Sequence, residues 1–280
     1  MAKERIIVTL QGDDYDLIPS RAAARLAARF DATLDAVLLE PDPSDFMMWA
    51  GPSGAAASVM AGAMSSIQIE SDKCAETAKN TFIDAMDFAE LTADRGRFLR
   101  ISDQPEDAAA ETRLARLVVT SHHAAAGNGP LAELVTAILI DEQTPIYICR
   151  HKDEPPESVA IAWDGSREAA RAIYAGAPLI GAAKKIRILQ SDSGLEYRDR
   201  RAASIDRLFD WLAVRGKRSD MINLDQFEGN VGERLLQGSE GLDLLVAGAY
   251  GHSRLREFVF GGVTRTLLTA ADGPAMLLAH

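Results

Sequence analysis

Two short runs, Gly248-Ala249-Tyr250-Gly251-His252-Ser253-Arg254 and Phe260-Gly261-Gly262-Val263-Thr264-Arg265, carry the densest chemical signal in this chain. The glycines follow an apolar run at 244–247 and precede a helical pattern. Glycine admits positive φ and lets a ligand approach the backbone closely. A helix starting near Gly262 presents unpaired N–H groups from Gly262, Val263 and Thr264 and the positive end of its dipole, a combination that suits an anion. Thr264 adds a hydroxyl, and Arg254, Arg256 and Arg265 add local positive charge to a chain whose formal net charge is -11. A phosphate cradle and a set of ordinary glycine turns both fit this pattern. The Walker A pattern is absent, as is G-x-G-x-x-G after the first strand.

Other candidate residues point to less. His252 either meets a phosphate oxygen, carries a proton, or is an exposed loop histidine. His122-His123 reads as a loop pair; adjacent histidines do not easily face one ion, and no Cys or carboxylate lies at ligand spacing, so no metal site is expected. Ser166, after Asp164-Gly165, reads as a helix cap rather than a nucleophile, because G-x-S-x-G is missing. Trp163 either packs in the core or flanks a bound base. Cys149 lies in an apolar strand and reads as inert, and Asp192, Glu196 and Asp199 read as a solvated face. Phosphoryl transfer needs a positioned base and a Mg²⁺ ligand set. Only Asp164 could serve a metal here, so no catalytic residue is assigned and turnover is limited to slow phosphate-ester hydrolysis at most.

Composition bounds the class. The chain has 280 residues, 47% hydrophobic and 25% charged, which excludes disorder as the main state. Aromatics are 6%, so the core must be built from Ala, Leu, Ile and Val. The acidic balance argues against non-specific nucleic-acid binding, which cations drive. Two cysteines without a C-x-x-C fit a reducing compartment. Residues 1–5 lead straight into the apolar Ile6-Ile7-Val8 with no signal-peptide pattern, and no apolar run reaches the roughly 20 residues of a membrane span. A cytoplasmic protein without membrane contact is expected.

The elements that must position the glycines repeat within the chain. Ile6-Ile7-Val8-Thr9-Leu10-Gln11-Gly12 resembles Val159-Ala160-Ile161-Ala162-Trp163-Asp164-Gly165, and Leu117-Val118-Val119-Thr120 resembles Leu244-Leu245-Val246-Ala247. Each half closes with X-Pro and a strand, at Pro145 and Pro274. The charged, proline-bearing stretch 150–157 reads as a linker, giving halves at 1–150 and 158–280. The first half is longer by roughly two dozen residues, assigned to an insertion at about 41–65 that reads as a surface excursion or a lid. Apolar strands alternate with amphipathic helices. In the second half the strands fall near 159–163, 186–189, 221–224, 242–247 and 274–279. The helices fall after Ser166 through Ile180, and at 197–214, 231–236 and 263–271. Such β-α alternation predicts parallel, doubly wound sheets, with ligands outside the carboxyl ends of the strands where strand order reverses.

The spacing Gly248-x2-Gly251-x9-Gly261, the Asp164-Gly165-Ser166 turn and the Pro274-led last strand resemble the universal stress proteins, over all of 158–280 and in outline over 5–150. The resemblance implies two flavodoxin-like (adenine nucleotide alpha hydrolase-like) α/β domains, each a parallel five-stranded sheet with helices on both faces. It implies a stress-response regulatory protein that binds ATP, or ADP or AMP, with Mg²⁺ as a companion ion. Carried over, Gly248, Gly251 and Gly261 line the phosphates, with His252 and Arg254 in the same loop. Thr264 matches a hydroxyl position, Asp164 sits by the ribose, and Gln190 falls near the adenine. Gly262 stands where the family commonly has Ser or Thr, at a loss of ~1 kcal/mol for one neutral hydrogen bond. The first half departs further. Gln11 replaces the Asp164 equivalent, and Thr120-Ser121-His122-His123 replaces the glycine pattern, so this half is expected to be a structural copy. The resemblance also implies an intramolecular pseudo-dimer, with Ile146-Tyr147-Ile148 paired to Met276-Leu277-Leu278, and a further homodimer is open. The competing expectation is a ligand-free interaction module with both pockets vestigial.

Overall fold

The structure is a computed structural model that describes residues 3–40, 56–102, 104–191, 203–249 and 262–280. The first half contributes β1 (Arg5–Leu10), α1 (Leu17–Arg29), β2 (Thr33–Glu40), α2 (Ala56–Phe88), β3 (Gly96–Ser102), α3 (Pro105–Ala110), β4 (Leu117–Ser121), α4 (His122–Ala125), α5 (Ala132–Ile140) and β5 (Ile146–Cys149). The second contributes β6 (Ser158–Ala162), α6 (Arg167–Ala175), α7 (Ala177–Ala182), β7 (Lys185–Gln190), α8 (Ile205–Ala213), β8 (Asp220–Asn223), α9 (Val231–Gly238), β9 (Leu244–Gly248), α10 (Gly262–Thr269) and β10 (Ala275–Ala279).

The ten strands of the described residues join one sheet in the order β3-β2-β1-β4-β5-β10-β9-β6-β7-β8. Each half is parallel and has the same internal order, so the expected α/β class is observed. Among the described residues the one antiparallel pair is β5 with β10, where Ile148 lies opposite Met276, Tyr147 opposite Leu277 and Ile146 opposite Leu278. That pairing removes two apolar strand edges from solvent.

Both sheet faces are buried, which explains the nearly continuous apolar strands. Side chains alternate across a strand. Ile6, Val8 and Leu10 therefore face one core layer with Val159, Ile161 and Trp163, while Ile7 and Ala160 face the other. Each fully buried Leu or Ile contributes about 1.5–3 kcal/mol relative to exposure.

Three local readings are corrected. The stretch after Ser166 is two helices rather than one, because Gly176 ends α6 and Pro178 sits in the first turn of α7, where its missing N–H is harmless. His122 and His123 are not on a loop: Ser121 Oγ accepts the Ala124 N–H at 3.2 Å and starts α4. The stretch 56–65, grouped with the insertion, is the start of the 33-residue α2. Its small residues carry no clean apolar period, so the helix was not legible there. Residues 41–55 lie outside the described residues, as does 192–202, which holds Asp192, Glu196, Asp199 and the start of the helix expected at 197–214; α8 begins at Ile205 with Ser204 as its cap.

Among the described residues no helix is long and apolar enough to cross a membrane.

Candidate functional site

In each half, strand order reverses between the first and fourth strands: β1 and β4 in one, β6 and β9 in the other. Crevices for ligands open at the carboxyl ends of such strands.

In the second half, the turn after β6 is shaped by Gly165 at φ +73°, a conformation that side-chain-bearing residues resist. Asp164 is exposed, and its Oδ1 accepts the Ser166 N–H at 2.9 Å, while Ser166 Oγ accepts the Ala169 N–H at 3.1 Å. These two bonds satisfy the turn and the first helical donors, so Ser166 is a cap. The Gly165 carbonyl accepts the Ala203 N–H at 2.9 Å, which ties the chain entering α8 to this turn. Trp163 is 7% exposed and packs in the core layer under α6, which settles its two readings in favour of core; its indole N–H has no acceptor among the described residues.

Gly248 ends β9 against this same turn. A Cβ there would stand 2.5 Å from the Ala169 nitrogen and 2.6 Å from the Glu168 carbonyl carbon. Its lack of a side chain is therefore required by the N-terminus of α6, whatever it also offers a ligand. After β9, α10 begins at Gly262, whose Cβ would meet nothing within 4 Å among the described residues, and Val263 is exposed. Thr264 is 6% exposed, turned toward the core. Gln190 ends β7 in register with Asn223. Gly251, His252, Arg254 and Gly261, with Arg256, lie outside the described residues.

Sequence reasoning missed the polar cluster beside Gln190. Ser191 Oγ donates to Asp225 Oδ1 at 2.6 Å, and Arg234 Nη1 donates to the same oxygen at 3.2 Å. No local pattern announces it, since it joins three elements through side chains.

At the first-half crevice the residues after β1 and β4 engage one another. Gln11 Nε2 donates to Asp13 Oδ2 at 2.7 Å. Gly12, at φ +86°, lies so close to α2 that a Cβ would stand 2.6 Å from the Cys74 carbonyl oxygen. Asp16 accepts the N–H of Gly12 at 2.7 Å and of Gln11 at 3.0 Å. Burial pushes its carboxyl up to about 6 despite those bonds. Tyr15 stacks on His123 with centroids 3.9 Å apart. Thr9 and Thr120, on neighbouring strands, bond through their hydroxyls at 2.8 Å beneath them.

Comparison with known proteins agrees on the fold. No protein-family model matches the chain, and no curated protein matches it. Solved structures do. A universal stress protein from Archaeoglobus fulgidus DSM 4304 superposes with TM-score 0.67 at 12% identity, over 99% of this chain and 96% of that one. A functionally unknown protein from Pseudomonas aeruginosa PAO1 gives TM-score 0.59 at 13% identity, over 99% and 92%. A candidate universal stress protein from Pseudomonas aeruginosa UCBPP-PA14 gives 0.59 at 14%, over 99% and 93%. The chain thus has the fold of universal stress proteins along its whole length.

Proposed function

We propose that this protein is a cytoplasmic stress-response regulator that binds one adenine nucleotide, ATP or else ADP or AMP, in the crevice of its second half. One contrast carries the reading. At the first-half crevice Gln11 bonds Asp13, Tyr15 stacks on His123 and Gly12 lies against Cys74. In the second half, Asp164 is exposed and, among the described residues, nothing lies within 4 Å of where a Cβ on Gly262 would stand. The spacing of Gly248, Gly251 and Gly261 supports a phosphate-bearing ligand, with His252, Arg254, Val263 and Thr264 in the same segment. Asp164 is assigned to the nucleoside and Gln190 to the base. A Mg²⁺ ion carried by the nucleotide keeps most of its ligands from phosphate and water, and exposed Asp164 is the carboxylate at this edge suited to meet it. The first half then serves as the pseudo-dimer partner, and no residue is assigned a catalytic role.

The test is the nucleotide content of the purified protein. It is denatured, and the supernatant is resolved by anion exchange at 260 nm. One adenine nucleotide per chain is expected, and Gly251→Val should abolish it while the circular dichroism stays unchanged. Two per chain would make the first half a site as well. None, even after incubation with ATP, overturns the reading and leaves an interaction module.

A further inference from the structure

The carboxyl end of α10 is held by side chains from the other half. Arg150, which directly follows β5, donates from Nη1 to the Ala270 carbonyl at 2.6 Å and the Ala271 carbonyl at 3.3 Å, and from Nη2 to the Leu267 carbonyl at 2.8 Å. The side chain is 8% exposed, and burial holds its pKa below the usual arginine value. Its Nε has no acceptor among the described residues. The half-buried His122, at the start of α4, lies beside the Leu268 backbone; burial and then the Arg150 charge hold its pKa down. Gly273, at φ +144°, follows the clamped carbonyls in a conformation that glycine favours, and a Cβ there would stand 3.1 Å from Leu236 Cδ2.

A helix leaves its last carbonyls unpaired, and a cation placed among them bonds them and complements the dipole. In the corresponding helix of the first half, α5, two of the last carbonyls are met by its own chain, with Asp141 and Glu142 N–H on Ala137 and Thr144 N–H on Ile138. Among the described residues, the arginine clamp from the other half falls on α10, the helix whose first residues are assigned to the candidate site. At eight residues it is about 12 Å long. A tilt imposed at one end is felt at the other, because backbone hydrogen bonds make so short a helix nearly rigid.

We propose that Arg150 is a positioning residue for the second-half site: from the first half it clamps α10 by its last carbonyls and so fixes where the N–H groups of Gly262, Val263 and Thr264 point. The inference rests on the nucleotide reading above, and it gives the first half a task that a mere structural copy would not have.

The experiment compares wild-type protein with Arg150→Met and Arg150→Lys. Amide hydrogen exchange of the nucleotide-free proteins is read first. Exchange over 262–268 should speed by about tenfold in Arg150→Met, in line with losing charge-assisted bonds at a helix end, while α5 is unaffected. ATP affinity by titration should fall by about tenfold, with an unchanged far-ultraviolet spectrum. Arg150→Lys, which keeps the charge, should recover part of both. Unchanged exchange over 262–268, or unchanged ATP affinity in a wild type that binds ATP, overturns the proposal. If wild-type protein binds no nucleotide, the site reading fails and the exchange result alone decides the clamp. If Arg150→Met does not fold, the wild type still answers: by reciprocal linkage ATP must slow exchange over 267–271, and no slowing there overturns the proposal.

Discussion

Tyr15 and His123 lie face to face across the first-half crevice, with ring centroids 3.9 Å apart and planes 8° from parallel. One follows β1 and the other follows β4, so the pair bridges the two strands between which a ligand would enter. Offset aromatic pairs contribute about 0.5–1.5 kcal/mol beyond area burial. Tyr15 is half exposed, which places this pair at the low end. A double-mutant cycle with Tyr15→Ala and His123→Ala, read by urea unfolding, should return a coupling near 0.5 kcal/mol. Zero coupling would mean that the rings merely lie side by side. The double variant should still carry one nucleotide, because the Gln11–Asp13 bond and the Gly12–Cys74 contact remain.

Asp16 gives the first half a defined pH dependence. Its pKa is raised from 3.8 to about 6, so the folded state holds the proton more tightly than the unfolded state. The unfolded state then binds fewer protons between those values, and stability falls as pH rises through that window. Two units correspond to roughly 3 kcal/mol. Asp16→Asn should flatten the urea stability profile between about pH 4 and pH 6. A profile as steep as wild type would show that another group titrates there.

Gly248→Ala separates packing from binding. The added methyl group would stand 2.5 Å from the Ala169 nitrogen, and overpacking of this kind costs about 1–3 kcal/mol. The melting temperature should drop even in nucleotide-free protein. An unaltered melting temperature would return Gly248 to a role with ligand alone.

Gly262→Ser should do the reverse. Among the described residues nothing lies within 4 Å of the position its Cβ would take, so the fold should tolerate it. A serine hydroxyl at the helix start adds one hydrogen bond to a charged phosphate, about 1.5 kcal/mol or roughly tenfold in affinity. Calorimetric titration with ATP reads this directly. Weaker binding would place the phosphates elsewhere.

Much of the architecture was legible because it is local. Strands such as 159–163 show uninterrupted apolar residues, Ser166 announces a cap, and Gly165 announces a left-handed turn. The break between α6 and α7 was also written there, in Gly176 and Pro178, but amphipathic spacing across the pair outweighed it. The start of α2 was not legible, since its Gly, Ala and Met residues favour no face. Gly248 was read as a ligand residue, yet its tightest neighbours are Glu168 and Ala169 on another element.

The amino-acid sequence by itself determined the repeat of two β-α halves, the buried-strand pattern and the glycine segment before α10, because periodicity and turn chemistry act over a few residues. Tertiary structure alone decided that Tyr15 meets His123, that α2 presses Cys74 on Gly12, and that Arg150 reaches carbonyls 117 to 121 residues further on. Contacts at such separation leave no local pattern; they exist only once β5 and β10 pair and bring the end of one half against the last helix of the other.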